Sequence, residues 1–133
     1  MDFVSTRLIT ADIKRLVGFY VAVTGVAPTW YTEDFAELKT PSATLAIGST
    51  RTLALFGEGV ARAAANQTAI IEFRVADTDA IFAALAETLG NALVQPPTTM
   101  PWGNRSLLFR DPDGNLVNFF TPVSAEAVQR AEA

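Results

Sequence analysis

The chain has no histidine and no cysteine, so the side chains left to do chemistry are carboxylates, arginines, hydroxyls, amides and aromatic rings. Imidazole is the commonest metal ligand and the commonest general base near neutral pH, and thiolate is the soft ligand and nucleophile; neither is on offer here. Ser5 and Arg7, Glu72 and Arg74, and Asn118 and Phe120 are each spaced by two in β-like runs, so each pair shares one strand face. Glu72 reads as a base, with Arg7 or Arg105 steadying an oxyanion. Trp30, Tyr31, Phe35, Phe56, Trp102 and Phe120 supply flat faces that suit planar or cationic ligands. Trp30 and Trp102 follow Pro28 and Pro101 closely, in segments leading into strands, which places them at the mouth of a cleft that Met100 and Pro101 would rim. Structural readings stand beside these. Glu72 with Arg7 or Arg74 forms a cross-strand ion pair, Arg105 anchors a loop or turn, and Phe56, Phe109 and Phe119 read as core although Phe56 also stands among the binding aromatics.

The elements that must position these residues come from an internal repeat. Leu8–Gly25 and Phe73–Gly90 align at a constant offset of 65, which matches Ala11 to Ala76, Asp12 to Asp77, Leu16 to Ile81 and Gly25 to Gly90. Each copy reads as a strand, an Asp that caps the free N–H groups of a helix, an amphipathic helix, and a Gly that ends it. Ile13, Leu16, Val17, Tyr20 and Val23 recur at three- and four-residue spacing in the first copy, and Ile81, Phe82, Leu85 and Leu89 in the second.

Short β-like stretches follow each helix. The first half gives Thr29–Lys39 broken near Asp34, Ala43–Ile47, and Arg51–Phe56; the second gives Ala92–Gln95, Arg105–Arg110 and Leu116–Thr121. Their partial alternation predicts strands buried on both faces. Thr98 and Thr99 read as strand-edge residues. Asp111-Pro112-Asp113-Gly114-Asn115 is a hairpin signal, Gly57–Gln67 reads as a linker, and Ser124 caps a short terminal helix.

Half of the 133 residues are hydrophobic, enough to bury a core. The net charge of -4, with scattered Lys and Arg, speaks against nucleic acid, whose phosphates need a clustered basic surface. No apolar run would span a bilayer, and Met1-Asp2-Phe3 does not open a signal peptide; a cytoplasmic location is expected.

The order β-α-β-β-β, twice, resembles the vicinal oxygen chelate superfamily of glyoxalases, extradiol dioxygenases, fosfomycin-resistance enzymes and bleomycin-resistance proteins. Trp102-Gly103-Asn104-Arg105 leading through Asp111-Pro112-Asp113-Gly114-Asn115 to Phe119-Phe120 resembles its C-terminal motif, and Ala11-Asp12 with Arg15, Phe19 and Tyr20 its first-helix motif. The resemblance implies an α+β fold: two tandem βαβββ units forming a curved mixed sheet cup, helices outside. The expected organisation is one 1–133 domain comprising a first unit 1–57, a second unit 68–122 and a helical tail 123–133.

Metal-dependent members carry ligands near the start of the first strand and on the last strand of each half. Carried over, those positions are Ser5, Ile70, Asn118 and, in the first half, about Leu53 or Ala54. One hydroxyl and one amide would not hold a divalent ion, so no metal or other cofactor is expected. The resemblance makes Ser5, Arg7 and Ile9, Ile70, Glu72 and Arg74, and Leu116, Asn118 and Phe120 line the concave face. Three functions follow. The first is metal-independent binding of an aromatic or cationic drug or natural product by a homodimer. The second is a metal-free lyase or isomerase with Glu72 as base. The third is a regulatory or structural module with a vestigial cleft.

Overall fold

The computed structural model describes residues 1–133, which divide into two compact units. The first comprises Met1–Asn66 with Pro112–Gly114, and the second Gln67–Asp111 with Asn115–Ala133. Each unit is βαβββ, so the α+β fold expected from the repeat is present.

In the first unit the order is β1 (Ser5–Thr10), α1 (Ile13–Thr24), β2 (Thr29–Thr32), β3 (Phe35–Lys39) and β4 (Thr44–Ser49). The sheet order is β1-β4-β3-β2, with β1 parallel to β4 and the other pairs antiparallel. Asp12 caps α1 by accepting a hydrogen bond from the Arg15 amide at 3.2 Å, and Gly25 ends the helix at φ +71 in the left-handed region. The spacing of apolar residues gives α1 one continuous stripe, and Ile13, Leu16, Val17, Tyr20 and Val23 are all buried. Each such side chain contributes about 1.5–3 kcal/mol by leaving water.

The second unit repeats the order: β5 (Ile70–Arg74), α2 (Thr78–Leu89), β6 (Leu93–Thr99), β7 (Asn104–Arg110) and β8 (Leu116–Pro122), then α3 (Ala125–Glu132). The sheet order β5-β8-β7-β6 matches the first, again with one parallel pair, β5 with β8. Asp77 caps α2 through the Ala80 amide at 3.1 Å. Ser124 caps α3 through the Ala127 amide at 3.0 Å. Leu107, Phe109, Val117 and Phe119 form the buried sheet face, with the Phe109 and Phe119 rings edge-on at 5.0 Å. These two phenylalanines are core, as their strand positions predict.

Several expectations change. Arg51–Phe56 is not a strand: Thr50–Leu55 is a 3-10 turn, started by Ser49 accepting from the Arg51 amide at 3.2 Å. The parallel partner of β1 is already β4, and Ser49 and Thr52 hydrogen-bond locally around Arg51, which a reading from β propensity misses. The strand expected to end at Gln95 runs on to Thr99; as the outer strand of its sheet it tolerates Pro96 and Pro97, at the cost of shifted register. Burial on both faces holds for β4, buried from Leu45 to Ser49, but β5 alternates exposed and half-buried residues. Gly90 has positive φ but ψ of -123, so α2 passes into a 3-10 turn instead of a left-handed cap. No helix is long and apolar enough to cross a membrane.

Candidate functional site

Strand alternation and register fix two faces on each sheet. On the first, Leu8, Thr10, Ala36, Leu38, Leu45 and Ile47 form the buried side that packs under α1. The other side is built in cross-strand rows: Ser5 with Thr44 and Lys39, Arg7 with Ala46 and Glu37, Ile9 with Gly48 and Phe35. On the second sheet, the side turned away from α2 carries Ile70 with Leu116 and Arg110, Glu72 with Asn118 and Leu108, and Arg74 with Phe120 and Ser106. The pairing of Ser5–Ile9 with Ile70–Arg74 by their constant offset therefore survives as matching rows.

This register corrects one position. Asn118 lies beside Glu72 on the strand parallel to it, and the residue in the same relation to Arg7 is Ala46. The first-half equivalent of Asn118 is thus Ala46, not Leu53 or Ala54, which lie in the 3-10 turn. The four positions that the resemblance assigns to metal ligands hold Ser5, Ala46, Ile70 and Asn118. A methyl group and a branched alkyl chain donate nothing, and no group of three or more Asp or Glu side chains is placed to hold an ion. The donor set does not fit a divalent cation, whose dehydration needs several charged or imidazole ligands.

On the first unit, the Arg7 guanidinium lies 4.9 Å from the Phe35 ring centre and 5.7 Å from that of Phe56. Phe56 follows the 3-10 turn and is 62% exposed, so it is not core. Tyr31 packs on Phe35 at 5.8 Å, and Lys39 sits 5.5 Å from the Tyr31 ring and 3.8 Å from Glu37. A hydrogen bond with Tyr31, and less so the nearby Glu37 carboxylate, raises the pKa of Lys39 above its ordinary value. Trp30 parts company with this cluster. It pairs with Ala36, which puts it on the α1 side of the edge strand, 41% exposed.

On the second unit, Asn118 Nδ2 donates to Glu72 Oε2 at 2.8 Å, leaving the buried Asn118 Oδ1 without a partner. Within this unit, Glu72 and Arg74 do not form the ion pair read from their spacing. Arg74 instead donates to the Ala131 carbonyl of α3 at 3.1 Å, beside an open cleft of about 390 Å³ lined by Thr121, Val128 and Ala131. Phe120 is half-buried in the row of Arg74.

Arg105 is on the α2 side. Its guanidinium binds both oxygens of Asp79 in the first turn of α2, at 2.9–3.1 Å, and donates to Thr99 Oγ1 at 3.1 Å. Asp79 raises the Arg105 pKa further. Arg105 therefore ties the β6–β7 hairpin to α2, the anchoring role read beside its ligand role. Trp102 lies in that hairpin, 58% exposed, its carbonyl accepting from Arg130 of α3. The structure thus gathers Arg7, Tyr31, Phe35 and Phe56 on one face and Glu72 and Asn118 on another, and separates Trp30 and Arg105 from both.

Sequence reasoning missed Glu37, Lys39, Ala46 and Gly48, because the misplaced last strand moved Thr44–Ser49 out of its true role. It also missed the Asp34 cluster of the first unit. There Ser49 donates to Asp34 Oδ1 at 2.7 Å and Arg51 at 2.9 Å, and the two, Ser49 first, hold the Asp34 carboxyl below its ordinary value.

The chain resembles solved structures along nearly its full length. A glyoxalase/bleomycin resistance protein/dioxygenase from Nocardioides superposes with a TM-score of 0.76 at 20% identity, covering 94% of this chain and 85% of that one. A protein of unknown function from Agrobacterium tumefaciens gives 0.77 at 26% identity, covering 91% and 94%. TioX from Micromonospora sp. ML1 gives 0.68 at 25% identity, covering 92% and 100%. No curated protein matches this chain. The family model of the Glyoxalase/Bleomycin resistance protein/Dioxygenase superfamily matches residues 2–119, and the chain belongs to that superfamily.

Proposed function

We propose that this protein is a metal-independent small-molecule binder of the bleomycin-resistance kind, which sequesters an aromatic drug or natural product and acts as a homodimer. The observation that carries the reading is the donor set: Ser5, Ala46, Ile70 and Asn118 replace the groups that would hold a catalytic ion. Aromatic rings and paired polar groups occupy the same faces instead, which is the chemistry of a recognition site. Calorimetric titration with a panel of aromatic natural products, bleomycin included, tests it. Stoichiometric binding of at least one, unchanged by EDTA, is the expected result. Binding or turnover that vanishes with EDTA and returns with added metal would overturn it. Light scattering at micromolar concentration should give twice the chain mass; a monomer would remove the homodimer from the proposal.

A second reading rests on the hydrogen bond from Asn118 to Glu72, which orients a solvent-reachable carboxylate as a general base for a metal-free lyase or isomerase. Under it, Glu72→Gln abolishes turnover of an identified substrate; unchanged turnover would exclude Glu72 as base.

A further inference from the structure

We propose that Arg7, held between Phe35 and Phe56, is the receptor for a carboxylate on a planar, aromatic ligand. This rests on the small-molecule reading above and names the ligand's chemistry at one face.

Arg7 stands apart from the other arginines in lying against two aromatic rings, whereas Arg15 and Arg62, also without an ion pair, have none. Arg51 and Arg105 are paired with Asp34 and Asp79, and Arg74 and Arg130 donate to the carbonyls of Ala131 and Trp102. Arg7 has two aromatic neighbours and no hydrogen bond or ion pair. Cation–π contact orients a guanidinium without neutralising it and without using its N–H groups. The rings therefore fix the Arg7 fork while all five donors stay open to an acceptor.

The carboxylate that could have quenched it is occupied elsewhere. Glu37 lies in the row of Arg7, across Ala46, but its oxygen sits 3.8 Å from Lys39. The residue between them is alanine, so no polar side chain intervenes. Gly48, in the neighbouring row, lets Thr52 approach closely: a Cβ there would fall 2.9 Å from Thr52 Oγ1, with Arg7 Cδ in ordinary contact at 3.7 Å. Arg7 as a whole is exposed, so its charged head is open to a ligand from solvent.

An unquenched, preoriented planar fork matches a carboxylate in bidentate geometry, and the adjoining rings of Phe35, Phe56 and Tyr31 match a flat aromatic body. The matching row of the second unit has Glu72 in place of Arg7, so the preference for an anion belongs to the first unit alone.

The experiment uses the full chain and three probes of one shape: 2-naphthoate, its neutral amide 2-naphthamide, and 2-naphthylmethylammonium. Calorimetry should show naphthoate binding roughly ten- to hundredfold more tightly than the amide, the range expected for a charge-assisted hydrogen-bonded pair. Arg7→Met should erase that difference. Arg7→Lys, which keeps the charge and loses the fork, should restore only part of it. Equal binding of naphthoate and naphthamide to the native chain, or an undiminished preference in Arg7→Met, would overturn the proposal. Tight binding of the ammonium probe alone would overturn it while leaving the binder reading intact; no binding of any probe or natural product would sink both.

Discussion

The two units share a plan and differ in what the plan displays. Both place an aspartate at the start of the first helix, run the first strand parallel to the last, and end the sheet on an outer antiparallel strand. On that common frame the matching rows read Arg7, Ala46, Glu37 in one unit and Glu72, Asn118, Leu108 in the other. The helices differ too: the apolar stripe of α1 is buried along its length, whereas Ile81, Phe82 and Leu85 of α2 are only half-buried. Backbone topology, set by caps and hydrogen bonds, tolerates replacement of every side chain on the far face of a sheet. That is why a frame associated with metal chemistry can stand without the ligands for it.

The largest difference in stability between the units is expected at the helices. Leu16→Ala, in the fully buried stripe of α1, should cost about 2–5 kcal/mol in chemical denaturation. Leu85→Ala on α2 should cost less, because that side chain is only partly buried. Equal losses would mean that the exposure of α2 is not its state in solution.

Gly103→Ala tests what only the second unit has. Gly103 sits at φ +93, and a Cβ would fall 2.0 Å from Ser124 Oγ, at the cap of α3. The substitution should cost about 1–3 kcal/mol and loosen α3, read as faster amide exchange in Ala125–Glu132. Unchanged exchange there would show that the close approach does not hold the helix.

The caps should behave as equals. Asp12→Ala and Asp77→Ala each remove one hydrogen bond to a first-turn amide and should each cost about 1 kcal/mol of stability. A difference of several-fold would deny that the two starts are equivalent. The smallest effect concerns Asp34, which has no counterpart role in the second unit. Its pKa is depressed in the fold, so its contribution to stability is complete above the ordinary carboxylate pKa of about 4 and is lost as pH falls through the lower folded value. Ser49→Ala should raise the Asp34 pKa toward that ordinary value in an NMR titration, and shift acid unfolding only slightly, since the pair with Arg51 is exposed.

The frame was legible in the sequence because its signals are local. Asp12, Asp77, Ser124 and the Asp111–Asn115 turn act on backbone groups within a few residues, and each does what its spacing predicts. The site was legible only where alternation alone decides it. Ser5, Arg7 and Ile9, and Ile70, Glu72 and Arg74, share faces as expected. What failed was register. Whether Thr44–Ser49 or Arg51–Phe56 pairs with the first strand depends on contacts between segments some forty residues apart. The error displaced Ala46, hid Glu37 and Lys39, and assigned a metal position to a 3-10 turn. Side-chain destination was equally hidden. Arg105 turns to Asp79 and Arg74 to α3, and neither partner is a neighbour in sequence.

Under the proposed function, an organic molecule is recognised with no ion to help. The most direct test is elemental analysis of the native protein, purified without chelator, incubated with zinc, manganese, nickel and ferrous iron in turn, and desalted. Substoichiometric traces are expected for every metal, with ligand binding unchanged throughout. One tightly retained ion per chain, lost on Asn118→Ala or Glu72→Ala, would contradict it.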